Sequence, residues 1–255
     1  MKKSDITHVL IPDCQIKPGV EVDHLEHIGK LIHEIKPAVV VVIGDFYDMP
    51  SLSSFDKGKR IFEGRRYSTD IDTGNEALEK LTRTALKGLR KKPRLVFCCG
   101  NHEYRIERAI DNQPELAGKL GYGDLAVKSL GWQFVPFLKP IEVDGIQYCH
   151  FFPLNAKGNV SQTRNGSPNA DTQLARVGQS CTSGHLQGLS IANRSFNGRL
   201  QWGLIAGSCY SHSEQYLSPQ GNSHFRGIVV KRNVVEGNYN PEVINLDALK
   251  RLARQ

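Results

Sequence analysis

The stretch PAVVVVIGD, residues 37–45, opens on a proline, runs through four valines and an isoleucine without alternation, and stops at Gly44-Asp45. A strand that shows apolar side chains on both faces must be covered on both, as in a largely parallel sheet packed between other layers. The same design recurs along the chain. ITHVLIPD ends at Asp13, PRLVFCCGNHE passes into Asn101 and His102, GIQYCH ends at His150, and SCTSGH ends at His185.

Helical patterns separate these runs. In EVDHLEHIGKLIHEI, residues 21–35, Val22, Leu25, Ile28, Leu31, Ile32 and Ile35 recur every three or four positions and make one apolar face. TGNEALEKLTRTALKGLRKKP, residues 73–93, repeats the pattern with Leu78, Leu81, Ala85 and Leu89 and stops before Pro93. Strands alternating with helices predict an α/β fold. In such sheets ligands collect beyond the carboxyl ends of the strands. Five runs delivering Asp, Asp, Asn/His, His and His to that edge mark it as the site. After about residue 190 the pattern changes: RLQWGLIAGSCYS and FRGIVVKRNVVEGNY read as strands of a second sheet. The tail NLDALKRLARQ reads as a short helix capped by Asn245.

Composition narrows the class. The chain has 255 residues, 39% hydrophobic and 23% charged, ordinary for one globular domain spanning residues 1–255. The two N-terminal lysines are not followed by an uninterrupted apolar segment, and no stretch approaches membrane-spanning length, so the expectation is a cytoplasmic protein. Six cysteines without a CxxC pair read as buried free thiols. A net charge of +7 modestly favours a polyanionic partner.

At DCQ (13–15), GDFYD (44–48), GNHE (100–103), CH (149–150) and SGHLQ (183–187), the chain resembles the calcineurin-like metallophosphoesterases, whose pattern is D-x-H, GDxxD, GNH[DE], a lone His and GHxH. The motifs fall in the family's order over roughly residues 8–187. The run GNHEYRIERAI looks most like phage-encoded members, which would place the protein in the host cytoplasm. The resemblance implies a four-layer αββα sandwich with two central mixed sheets flanked by helices. It also implies a dinuclear metal centre whose bridging hydroxide hydrolyses phosphate mono- or diesters. Two such ions sit roughly 3.5–4 Å apart and clamp the phosphoryl group. Carried over by motif, Asp45 would bridge them. Asn101, His150 and His185 would complete one ion's shell, and Asp13, Gln15 and Gln187 the other's. His102 would protonate the leaving group, oriented by Asp48.

The chain departs from the family at two positions, 15 and 187, which hold glutamine where the family has histidine. Both belong to the same implied ion. Replacement of both by an oxygen donor reads as retuning toward hard ions, Mn²⁺ first and Mg²⁺ next, over Zn²⁺.

Other features have competing readings. His24 and His27 face away from the first helix's apolar stripe and read as solvated. Cys14 points into the core by strand alternation. LRKKPR, residues 89–94, precedes its strand and so lies at the opposite end from the site. FDKGKRIFEGRRY, residues 55–67, interleaves Phe55, Phe62 and Tyr67 with lysines and arginines, including Arg65 and Arg66. It is either a solvated loop or a contact for single-stranded nucleic acid. Arg105 and Arg108 stand where they could meet a substrate phosphate. The turn-rich segment 153–171 is a lid, a specificity loop or a plain connection.

The functional expectation is a phosphohydrolase acting on a nucleotide or nucleic acid. The alternatives are a protein phosphatase, which the missing arginine after Asp48 disfavours, and a phosphate- or nucleic-acid-binding protein with a degenerate metal site.

Overall fold

The computed structural model describes residues 6–154, 166–214 and 222–253. Most of the turn-rich segment 153–171 therefore lies outside the described residues. In chain order the elements are β1 (His8–Ile11), α1 (Asp23–Ile35), β2 (Val39–Val42), α2 (Tyr67–Leu86), β3 (Arg94–Cys98), α3 (Arg105–Asn112), β4 (Gln133–Val135), β5 (Ile141–Val143), β6 (Ile146–Tyr148), α4 (Ala170–Val177), β7 (Cys181–Ser183), β8 (Leu189–Phe196), β9 (Arg199–Ala206), β10 (Gly227–Val235), β11 (Asn238–Asn245) and α5 (Leu246–Leu252).

Two mixed sheets form the centre. The first has the order β11-β10-β1-β2-β3-β4, the second β5-β6-β7-β9-β8. Strands β1 to β4 run parallel, and every residue of β1 and β2 is buried, which is why their sequences do not alternate. The alternation survives in what each side chain touches. Val9, Ile11, Val40 and Val42 pack on Leu25, Ile28 and Ile32 of α1 and Leu78 and Leu81 of α2. Leu10, Val39, Val41 and Ile43 face Ile146, Tyr148, Leu204 and Ala206 of the second sheet. Helix α4 covers the outer face of that sheet through Leu174, against Cys149 and Cys181. The result is the expected αββα sandwich.

Three readings are corrected. Strands β10 and β11 do not continue the second sheet: β10 pairs antiparallel with β1, His8 opposite Lys231, and so completes the first. The five site-bearing runs end on two sheets instead of one, with β1, β2 and β3 in the first and β6 and β7 in the second. His24 is buried on α1, because α1 packs against more than one element and the side of its apolar stripe is also covered. Asn245 does cap α5, its side chain accepting from the Ala248 amide at 2.7 Å. All six cysteines are buried and free. None of the helices in the described residues is long and apolar enough to cross a membrane.

Between the sheets the core is not wholly apolar. Lys231 is fully buried, its ammonium 4.4 Å from the centre of the Tyr148 ring and 4.7 Å from that of Tyr239, and it donates to Thr182 Oγ1. Next to it His8 places Nδ1 2.8 Å from the Tyr148 hydroxyl and Nε2 2.8 Å from Asp144 Oδ2. Burial lowers His8 to about 4, although the Asp144 bond opposes the shift. The unfolded chain therefore binds this proton at higher pH than the folded chain does. Stability from this source is complete above pH 6.5 and falls as pH drops through about 4, by on the order of 3 kcal/mol. His8→Gln should flatten that fall when urea unfolding of the variant and the wild type is compared at pH 7 and pH 4; parallel curves would assign the acid sensitivity elsewhere.

Candidate metal centre and cleft

Five of the candidate ligands lie two or three residues past a strand end, and Gln15 and Gln187 lie two residues further on. Asp13 follows β1, Asp45 β2, Asn101 β3, His150 β6 and His185 β7. The chain turns sharply there, and several of these residues pay for it in backbone strain. Gln15, Asp45, His185 and Gln187 all have positive φ, between 29° and 68°. Such conformations cost non-glycine residues about 1–3 kcal/mol each and persist where the surroundings over-determine them.

Glycines permit the crowding. Gly44 has φ 106°, and a Cβ there would lie 2.5 Å from His150 Nδ1. A Cβ on Gly100 would lie 2.1 Å from Asp45 Oδ1. These are close approaches of backbone to ligand that no larger residue allows.

The side chains form a tight group. One ligand atom from each of Asp45, His150 and His185 lies within 4.8 Å of the others. Asn101 Oδ1 is 2.9 Å from both His150 Nε2 and His185 Nδ1. Asp45 Oδ2 is 3.2 Å from His150 Nε2, and Asp45 Oδ1 accepts from the His102 amide at 2.9 Å. Asp13 is fully buried beneath and accepts from the His185 amide with both oxygens. Burial opposes ionisation of Asp45, yet His102 and His150 hold its carboxyl well below the usual range. Burial likewise works against a charged His150, but Asp45 beside it pushes the imidazole up to about 9.

His150 tests whether a cation fits. Its Nδ1 lies 3.0 Å from the Ile43 carbonyl, which can only accept, so Nδ1 carries a hydrogen. Its Nε2 then faces two oxygens, those of Asn101 and Asp45. Only a proton or a metal ion reconciles that arrangement, and a backbone-anchored imidazole is how metal-bound histidines are oriented. The donor set fits a divalent ion.

The rest of the proposed ligands, Gln15 and Gln187, line the same cleft as Asp45, Asn101 and His185. Gln187 Oε1 accepts from the Tyr210 hydroxyl at 2.7 Å. The cleft has a volume of about 1390 Å³. His102 opens onto it, with Nδ1 2.6 Å from Asp48 Oδ1 and Nε2 3.8 Å from Asp45 Oδ2. Arg105 places Nη2 3.3 Å from His102 Nε2 while its Nη1 donates to the Asp48 and Met49 carbonyls.

The four arginines separate. Arg105, Arg65 and Arg66 line the cleft; Arg108 does not, and donates instead to Ser54 Oγ. Arg65 is a brace, its Nη1 donating to the Pro50 carbonyl and to Asp56 Oδ2 at 2.8 Å. Arg66 is exposed.

Sequence reasoning missed two residues. Lys17 bridges Asp48 Oδ2 at 3.2 Å and Glu214 at 2.6 Å, tying the His102 partner to a segment distant in sequence. Glu103, fully buried, accepts from three backbone amides: Tyr47 on Oε1, Asp45 and Gly100 on Oε2. Burial, with Asp45 nearby, pushes its carboxyl up to about 7. Its place as the last letter of GNHE was the only available signal.

No protein-family model matches the chain, and no curated protein matches it. Solved structures similar to it include a predicted phosphoesterase from Streptococcus pneumoniae TIGR4, at 11% identity and TM-score 0.39, covering 96% of this chain and 91% of that one. The nuclease MPE of Pseudomonas putida matches at 11% and 0.38, over 92% of this chain and 87% of that one. A purple acid phosphatase, PPD1, from yellow lupin (Lupinus luteus) seeds matches at 10% and 0.34, over 96% and 52%.

Glu103→Gln exchanges one accepting oxygen for an NH₂ that must face a backbone N–H. The expected cost is about 2 kcal/mol in urea unfolding, together with weaker divalent-ion binding in calorimetric titration. Unchanged stability would show that the two loops hold their shape without this carboxylate.

Proposed function

We propose that this chain is a divalent-metal-dependent phosphohydrolase that cleaves a phosphate mono- or diester of a nucleotide or nucleic acid. The observation that carries the reading is His102, a buried imidazole held by Asp48 at the mouth of the cleft and on the edge of a cation-fitting cluster. A site that only binds phosphate or nucleic acid needs the cations but has no use for an oriented acid.

Asp45, Asn101, His150 and His185 would hold one ion, and Asp13, Gln15, Asp45 and Gln187 a second. Such ions, when bound, polarise phosphoryl oxygens and generate a nucleophile from water at neutral pH. The chain's own residues supply the rest. Asp48 accepts the Nδ1 hydrogen of His102 and so fixes which nitrogen faces the substrate. Asp45 and Asp48 raise the affinity of His102 for its proton, although burial and Arg105 oppose them. His102 then donates from Nε2 to the departing oxygen. Arg105, anchored through Nη1 on two carbonyls with Nη2 3.3 Å from His102 Nε2, holds its guanidinium beside His102, where it would meet a substrate phosphate.

Gln15 and Gln187 make the second position harder in character than the first. An amide oxygen carries two lone pairs, so the Tyr210 bond to Gln187 orients the side chain and is compatible with a second interaction. Mn²⁺ suits this oxygen set, and Zn²⁺ loses more than Mn²⁺ does when imidazole is exchanged for amide.

Two predictions follow from these assignments. His102→Ala should lower turnover of bis-p-nitrophenyl phosphate by about 10²–10⁴-fold while metal content by mass spectrometry stays unchanged. Asp48→Asn should lose less; near-normal turnover in His102→Ala would remove the imidazole from the mechanism. Separately, Gln15→His combined with Gln187→His should tighten binding at the second position and shift it toward Zn²⁺ in calorimetric titrations, with the two changes coupled because they share an ion. A wild-type protein that already binds two Zn²⁺ ions equally tightly would end the retuning reading.

A further inference from the structure

Residues 49–66, between Asp48 and helix α2, form one wall of the cleft. That wall combines apolar surface with positive charge. Phe55 is 73% exposed and Ile61 42% exposed, and both line the cleft beside Lys59 and Arg66. A single exposed apolar residue is ordinary, but here two of them stand together on a cleft wall beside cations, and it is the grouping that carries information.

The ring is not exposed because its loop is loose. The Ser51 amide donates to Asp70 Oδ2 at 2.8 Å, which pins the segment to α2. Arg65 ties Pro50 to Asp56 across the segment. Two short 3₁₀ turns, Pro50–Leu52 and Arg60–Phe62, stiffen what lies between. Asp56 is shared between Arg65 at 2.8 Å and Lys59 at 3.8 Å, and with Glu63 it leaves the wall a net positive charge against Lys59, Arg65 and Arg66. A braced backbone thus presents a bare aromatic face among cations, over a cleft of about 1390 Å³, larger than a single small ligand fills.

The geometry points to this wall as a subsite for the unpaired bases of a single-stranded polynucleotide, with Phe55 as the stacking platform and Lys59 and Arg66 as phosphate contacts. The inference rests on the phosphodiester reading of the adjoining site and narrows its substrate. A phenylalanine face stacks on any base, so recognition is independent of sequence. A duplex hides those faces inside its own stack, so paired nucleic acid gains only the electrostatic part. Arg65, which sequence alone places among the substrate contacts, serves here by holding the wall.

The test is fluorescence anisotropy with labelled twelve-nucleotide homopolymers, oligo-dT and oligo-rU, each alone and annealed to its complement. Wild type should bind the single strands more tightly than the duplexes. Phe55→Ala should weaken single-strand binding about tenfold, Phe55→Trp should restore it, and Lys59→Glu with Arg66→Glu should flatten its salt dependence. The loss in kcat/KM caused by Phe55→Ala should be about tenfold greater on the oligonucleotide than on bis-p-nitrophenyl phosphate. Equal affinity of Phe55→Ala and wild type, equal affinity for single strand and duplex, or equal losses on both substrates would each overturn the subsite. Binding is read without turnover. A wild type that binds oligo-dT through Phe55 but hydrolyses no ester would therefore sink the hydrolase reading and leave the subsite standing.

Discussion

One buried carboxylate holds the site together. Glu103 gathers the amides of Asp45 and Tyr47 from the loop after β2 and of Gly100 from the loop after β3. A helix or strand cannot satisfy these donors, because the chain has left both sheets by that point. Without an acceptor, three buried N–H groups would be stranded, at a cost of about 1–3 kcal/mol each. With it, Asp45 is forced into a left-handed conformation and stays there. Asp45 in turn takes the His102 amide on one oxygen and faces His150 with the other. The geometry of the candidate ligand cluster and of His102 beside it both descend from this anchor.

The strand ends were legible because β1 and β2 are buried on both faces, and a doubly buried strand leaves an uninterrupted run of Val, Ile and Leu. The helical faces of α1 and α2 were legible for the complementary reason, since each is covered chiefly on one side. The partition into sheets was not. Nothing local in FRGIVVKRNVVEGNY distinguishes a strand that pairs with β9 from one that pairs with β1. His24 was read as solvated because its own helix pattern carries no record of what else packs nearby. The ligand set could be named only through the resemblance of whole motifs. The roles of Glu103 and Lys17 depend on backbone donors and on a partner, Glu214, that no motif encodes.

The cleft is asymmetric in a way that follows from where its walls come from. Its floor is built from the strand ends of two facing sheets. Its rim is built from connections: the segment leading into α2, and the stretch carrying Tyr210 and Glu214. Lys17 joins these regimes, since it contacts Asp48 on one side and Glu214 on the other. The candidate ligands thereby sit on the sheet framework, and the rim sits on connections that can vary without disturbing the sheets.

The pairing of β10 with β1 has a further consequence for how the protein is made. β1 carries Asp13 to the site, and the Asp13 carbonyl accepts from the Cys209 amide at 2.7 Å, just past β9. As the nascent chain leaves the ribosome, β1 emerges long before β10, the strand that flanks it. Until then one edge of β1 is open, with His8 lacking the antiparallel neighbour that buries it beside Lys231. Most of the ligands exist early, but the frame that orients the first of them closes late. A ribosome that stalls before residue 227 releases a chain with an exposed strand edge and an unfinished centre, the form that chaperones and proteases recognise.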